Sequence, residues 1–466
     1  MIISKVGNKM NKIKSIHNLS IRILEEIGVE INSEKILKIL KKEGIKINND
    51  RMFLNEANIE YYLKDISNNF QFRKINNEKI LIGKGNREYL PGYGAANILD
   101  GNSIRNSREE DYIKILKIIQ ASDFFNINGG ILCDFDENSR TKNLKMVYNT
   151  FKYTNKGFIS PATDKLEAED IVDVFNYIYD GDLKNEKRIL SIINSTSPLK
   201  YDKETLEILE VYAENNQPLI ITPAAMIAST GPVTISGSIA MSNAEVLAGI
   251  VISQVINKGC PVVYGFQTSG ADMKTGAVAL GDPVTSIFVK YGAKLADFYG
   301  LPSRGGGSNT DALYVGTQSS YEGAMALLET VNSGMNLIFH SAGMLSGNGI
   351  VSINKLIVDL EIIKAIEYIK SDITSIDVEV DFEEIKKNHE KGEFLTSEYT
   401  FSSFRDILFQ PEIGIRGFSS DVQTQKTQTE NNIKSKENKL LKSYQMPYNN
   451  KKALKFINKK IKDDKY

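Results

Sequence analysis

Tryptophan is absent from this chain of 466 residues, histidine occurs three times and cysteine twice. With so few soft ligands and no CxxC or HExxH spacing, a zinc site of the usual kind is excluded, although Asp and Glu can still hold a hard cation. Cys133 and Cys260 lie far apart at apolar runs and read as buried thiols in a reducing compartment. An excess of one charge is missing as well: 57 basic residues face 58 acidic ones, so no global field argues for nucleic acid or an anionic membrane. No run reaches the 18 or so apolar residues that cross a bilayer; candidates such as 250–256 are short and interrupted. The first twenty residues carry spaced lysines and no apolar stretch of signal-peptide length. No GxGxxG opens a helix after the first apolar run, and there is no phosphate loop and no persuasive Ser-His-Asp order. The expectation is a cytoplasmic globular protein.

What is present is a rhythm. Residues 1–88 hold short amphipathic pieces, among them SEKILKILKKEGI behind a Ser33 cap, and read as an N-terminal cap. From 89 to about 374 short apolar runs alternate with helical patterns. The runs fall near 92–99, 125–132, 157–160, 189–194, 218–222, 260–265, 301–307 and 336–340. Eight such runs with intervening helices predict a (β/α)8 barrel, a TIM barrel of the α/β class, although an open doubly wound sheet shares the alternation. Residues 375–420 predict helices closing over one barrel face. A tail from 421 to 466 has twelve lysines against four acidic residues between Lys426 and Lys465; it reads as a solvated, partly helical segment or a basic handle for an acidic partner.

Chemistry is expected where the runs end. Tyr93, Tyr264, Phe266, Tyr314 and Phe339 fall there. A quaternary ammonium ion cannot donate a hydrogen bond, so ring faces and negative charge must hold it; the same rings also suit ordinary core. His340 ends the run NLIFH before Ser341, Ala342 and Gly343, and serves either as a site residue or as a satisfied core group. In SRGGGSNTD, Arg304 can grip a carboxylate by two parallel hydrogen bonds. The three glycines after it, Gly306 among them, suit positive φ and close ligand approach. Asn194 opens NSTSP after the run ILSIIN, as ligand contact or as turn. Asp272 and Glu322 share the predicted face; Glu322 can equally sit in a helix's first turn.

These residues carry a resemblance. ILDGNSIRNSREED (98–111), NSTSPLKYD (194–202), 217–250, PVVYGFQTSGADMKTGAVALGDPV (261–284), GLPSRGGGSNTDA (300–312), QSSYEGAM (318–325) and NLIFHSAGML (336–345) are similar, in this order, to the trimethylamine:corrinoid methyltransferase superfamily. The likeness runs through most of 15–415. It implies a barrel that moves a methyl group from a methylated amine to the Co(I) corrinoid of a separate small protein. No cofactor would be bound by this chain. The founding members carry pyrrolysine; here its place falls near Leu313, so the resemblance points to the branch without it, whose members demethylate quaternary amines such as glycine betaine. It implies His340, Glu322 and Asp272 as catalytic residues. Tyr93, Asn194, Tyr264, Phe266, Arg304, Gly306, Tyr314 and Phe339 would bind substrate, with His340 and Arg304 on its carboxylate. The expected partners are a corrinoid protein and a small quaternary amine, without nucleic acid or membrane; pairing of barrels is left open. Two alternatives stand: an idle paralogue that binds a betaine or a corrinoid protein, and a barrel lyase acting on a small carboxylate.

Overall fold

The computed structural model describes residues 2–129, 138–371, 377–417, 422–447 and 451–464; Cys133 lies outside them. Seven strands stand side by side in the order Phe158–Ile159, Ile189–Ser195, Leu219–Pro223, Val262–Gly265, Ser303–Gly306, Leu337–Phe339 and Glu88–Tyr89. Every neighbouring pair is parallel. The eighth position is filled by 125–127, where Phe125 bridges Tyr89 and Ile127 bridges Gly157, again in parallel. The N–H of Gly157 donates to Asn126 O and that of Asn128 to Gly157 O, each at 2.8 Å. These bonds close the ring, so the barrel has no free edge.

Seven of the eight expected runs overlap barrel strands. The first does not: the opening strand is Glu88–Tyr89, whereas Asn97–Asp100 pairs with Ser103–Asn106 and with Ile350–Val351 in a small sheet beyond the barrel. The opening strand hides because its flanks are charged. Arg87 makes a bidentate pair with Glu367, and Glu88 accepts from Asn126, so no apolar run marks it.

Side chains alternate along strands, and the inward set is Leu190, Ile220, Val263, Leu337 and Phe339. A hairpin, Asn69–Arg73 with Lys79–Gly83, adds Phe70, Phe72 and Ile82 to that interior cluster. Its Arg73 N–H donates to Lys187 O, just before a barrel strand begins, at 2.7 Å. The hairpin is therefore a stopper in the amino end. Gly157 is glycine because an added Cβ would stand 2.6 Å from the Phe72 ring.

The helix Ile235–Ile256 is long and apolar enough to cross a membrane, more so than the interrupted runs of the sequence suggest. From Ser238 to Gln254 every residue is buried, because the N-terminal helix Ile2–Glu26, helix Glu56–Leu63 and helix Lys203–Glu214 pack around it. The lysine-rich tail is helical and largely exposed, as expected, and it is also moored along the barrel. Helix Val422–Ser443 packs on Glu109–Ala121 and Ile353–Lys370, and helix Lys451–Asp463 on Ser139–Tyr153 and Lys165–Ile178. Leu440, Ala453 and Ile457 are buried, and Lys114–Glu437 and Lys460–Asp170 pairs tie the strap down at 2.6 and 2.8 Å. Helices Val378–Asn388 and Glu398–Ile407 leave almost all their side chains exposed, and the chain after them returns to helix Ile353–Lys370 through Lys364 and Glu412.

Candidate functional site

Barrel strands present their inward side chains in layers, and the layer nearest the carboxyl ends is polar. Arg304 is 3% exposed. Its Nη1 donates to Gln267 Oε1 at 2.7 Å and to Thr222 Oγ1 at 3.4 Å. Its guanidinium carbon lies 4.7 Å from the centre of the Phe339 ring, and its Nε has no hydrogen-bond partner. Burial alone pushes its pKa down to about 9; among the described residues no carboxylate counters it. An unpaired buried charge costs several kcal/mol, so this one is held for something that completes it.

His340 stands beside it. The His340 and Phe339 rings are 6.3 Å apart, and burial, then the nearby Arg304 charge, push its pKa down to about 3. The imidazole is neutral at any working pH, with Nδ1 unpartnered. Its backbone is left-handed, φ 54°, a cost that persists only where the surroundings fix it. They do. Ser308 N–H donates to His340 O at 2.9 Å, and Ser341 N–H to Leu90 O at 2.9 Å.

Behind these loops lies a buried pair that the sequence analysis did not find. Lys355 and Asp359 on helix Ile353–Lys370 are both fully buried and bonded to each other. Lys355 Nζ donates to Ser308 Oγ at 2.8 Å, Ser308 Oγ to Asp359 at 2.6 Å, and Gly343 N–H to Asp359 at 2.8 Å. One pair thus anchors both the loop after Arg304 and the loop after His340. Asn309, next in the chain to Ser308, is buried with Oδ1 unpartnered. Gln267, Thr222 and Asn309 were also missed; Gln267, directly after Phe266, was the legible one. Glu245 holds the NSTSP loop through Ser195, Ser197 and Leu199 N–H, its pKa raised by burial.

The structure gathers some expected residues here and not others. Arg304, His340 and Phe339 meet. Tyr93 packs on the interior cluster and donates to Ser160 O at 2.9 Å. Asn194 is exposed at its strand's carboxyl end, in register with Thr222. Tyr264 and Phe266 lie on the outer face of their strand: Tyr264 OH donates to Asn243 Oδ1 at 2.7 Å, and Phe266 packs on Gly292 of helix Pro283–Phe298. Tyr314 and Leu313 are rim residues, 68% and 55% exposed. Asp272 shapes a hairpin turn through Lys274 N–H and Thr275 Oγ1, at 2.9 and 2.7 Å. Glu322 ties down Thr310 and Asp311 N–H, at 2.6 and 2.9 Å. Both carboxylates are engaged with loops. Gly306 has a spatial reason rather than a positive φ: an added Cβ would stand 2.4 Å from Asn309 Nδ2.

A closed (β/α)8 ring, stopped at one end and carrying an uncompensated guanidinium at the other, defines a barrel enzyme with a small-molecule site at its strand termini. A family model, "Trimethylamine methyltransferase (MTTB)", matches residues 8–463, and the chain belongs to that family. The match continues past 415, through the basic strap. The chain is 34% identical over 443 residues to glycine betaine methyltransferase of Desulfitobacterium hafniense, covering 94% of this chain and 92% of that protein. It is 27% identical to proline betaine:corrinoid methyltransferase of Eubacterium limosum, over 86% of each. In fold it is similar to the monomethylamine methyltransferase of Methanosarcina barkeri, with TM-score 0.52 and 11% identity over 94% of this chain and 93% of that one.

Proposed function

We propose that this chain transfers a methyl group from a betaine, a quaternary ammonium compound bearing a carboxylate, to the reduced corrinoid of a separate protein. The observation that carries this reading is Arg304, cationic and buried without a counter-charge beside neutral His340. The reading places the substrate carboxylate on Arg304, with His340 completing its hydrogen bonds. Tyr93, Phe339 and Asn194 bound the rest of the site, and Tyr314 meets the incoming protein at the rim. Asp272, Glu322, Tyr264 and Phe266 shape the walls. The setting is cytoplasmic.

The corrinoid, a substrate carried in by its own protein, supplies the nucleophile. The N–CH₃ electron pair returns to nitrogen, which leaves as a neutral tertiary amine, so no general acid is needed. This suits a site whose one histidine is neutral. The work of the chain is to align the N–C bond and exclude water. Arg304 adds an electrostatic push. Its charge disfavours the substrate cation, and that repulsion fades as nitrogen loses charge in the transition state. Few ring faces surround the site, which avoids holding the cation against its conversion.

The test mixes the chain, a reduced corrinoid protein and a panel of betaines, and follows the Co(I) to methyl-Co(III) absorbance change. Transfer from a betaine is expected, and His340→Ala is expected to weaken turnover while the fold survives. Betaine binding without transfer from any amine would instead identify an idle paralogue.

A further inference from the structure

The bonds that Arg304 makes all leave from one nitrogen. Nη1 donates to Gln267 Oε1 at 2.7 Å and to Thr222 Oγ1 at 3.4 Å, which engages both of its protons. Nε, on the other edge of the plane, has no partner. A carboxylate is gripped by two parallel N–H bonds from one edge of the fork. With Nη1 engaged, the edge that offers such a pair is the one made by Nε and Nη2. The protein thus holds the guanidinium by its end and leaves its side open.

Gln267 can do this because the residues around it are anchored. Phe266 N–H donates to Arg304 O at 3.0 Å, and the Phe266 ring packs outward on Gly292, so the next side chain turns inward. Beyond it, the Thr268 and Ser242 hydroxyls share a hydrogen bond at 2.8 Å, and Ser269 N–H donates to Ala225 O at 3.0 Å. Thr268 and Ser269 are buried. The amide is therefore presented from a fixed stretch of chain.

The acceptor at this place could have been an amide or a carboxylate of nearly the same size. A carboxylate would accept the same bond and also neutralise the guanidinium. The amide accepts the bond and brings no charge, so the burial of Arg304 stays uncompensated until an anion arrives. We propose that Gln267 is a specificity-determining residue of this site: its neutral amide presents the Nε/Nη2 edge of Arg304 and reserves the guanidinium charge for a ligand that carries a carboxylate. Quaternary amines without a carboxylate gain nothing from this arrangement and meet an unopposed positive charge. The inference rests on the substrate reading above and adds to it the residue that enforces it.

The experiment is titration calorimetry of the full chain with glycine betaine and with tetramethylammonium, a cation of the same kind without a carboxylate. The wild type is compared with Gln267→Glu and Gln267→Met, with thermal melting alongside. Gln267→Glu keeps the size and the acceptor and adds a negative charge. It is expected to weaken glycine betaine at least about 100-fold, to bind tetramethylammonium more tightly than the wild type does, and to melt higher because the buried charge gains a partner. Gln267→Met removes the acceptor and adds no charge. It is expected to weaken glycine betaine only about 10-fold and to leave tetramethylammonium unchanged. That order separates charge from shape, since a merely structural role makes Gln267→Glu the milder change. The proposal is overturned if Gln267→Glu binds glycine betaine as the wild type does, harms it less than Gln267→Met, loses both ligands alike, or melts lower or fails to fold. A wild type that binds no betaine, or Arg304→Met that binds glycine betaine unchanged, overturns the substrate reading and this inference with it. Loss of glycine betaine by Arg304→Met but not by Gln267→Glu removes Gln267 alone.

Discussion

Arg304 is the residue on which stability and activity are expected to pull apart. Burial lowers its pKa to about 9; the unfolded chain therefore binds more protons from there up to its ordinary arginine value, stability rises with pH across that window, and the penalty is fully present at neutral pH. Arg304→Met is expected to melt a few degrees higher, because an apolar group of similar length replaces an unpaired charge. Its kcat/KM for a betaine is expected to fall at least 100-fold, from loss of about 3 kcal/mol of charged hydrogen bonding. Differential scanning fluorimetry with the corrinoid assay measures both. A second expectation concerns pH. Betaine binding needs protonated Arg304, so KM is expected to be flat to about pH 8 and to climb above about 9. His340, already neutral with a pKa near 3, gives no limb around 6.5. A KM that doubled or tripled across pH 6–7 would remove this assignment. Arg304 and His340 were legible in the sequence because each ends an apolar run next to glycines. Tyr264 and Phe266 were misplaced because their run is apolar throughout: VVYGF is buried on both faces and offers no alternation to say which side chains point inward. The pairing of Gly265 with Arg304, and of Val263 with Ile220, fixes that parity.

At the scale of elements, helix Ile353–Lys370 is more than outer-ring packing. Through Lys355 and Asp359 it fixes the loops after the last two strands in one step. Asp359→Asn strips the counter-charge from a buried ammonium and is expected to lower unfolding free energy by about 3–5 kcal/mol, read as a lower urea midpoint, and to raise KM for the betaine. The double variant Lys355→Met/Asp359→Leu is expected to recover much of the stability and little of the KM. Recovery of both would make the pair a stability feature alone. Nothing in the sequence marked this pair, because a Lys and an Asp at i, i+4 look like any solvated helix face. The opening strand was missed for a related reason: its charged residues serve partners far along the chain, such as Glu367.

For the whole molecule, the hairpin stopper is a structural commitment. Phe72 is fully buried among side chains of the barrel interior, and Phe72→Ala is expected to cost about 3–5 kcal/mol, seen as a shift of the urea transition and not as a change in substrate preference. The tail's role as a strap could not be inferred from its composition, since its few apolar residues are scattered among lysines and declare a face only once coiled. With the amino end plugged, the barrel has a single doorway. The amine must be seated before the cobalt carrier arrives, and the spent amine must wait for the carrier to step away. Traffic of that kind is ordered, and a large surplus of carrier is expected to slow steady-state turnover by blocking the queue.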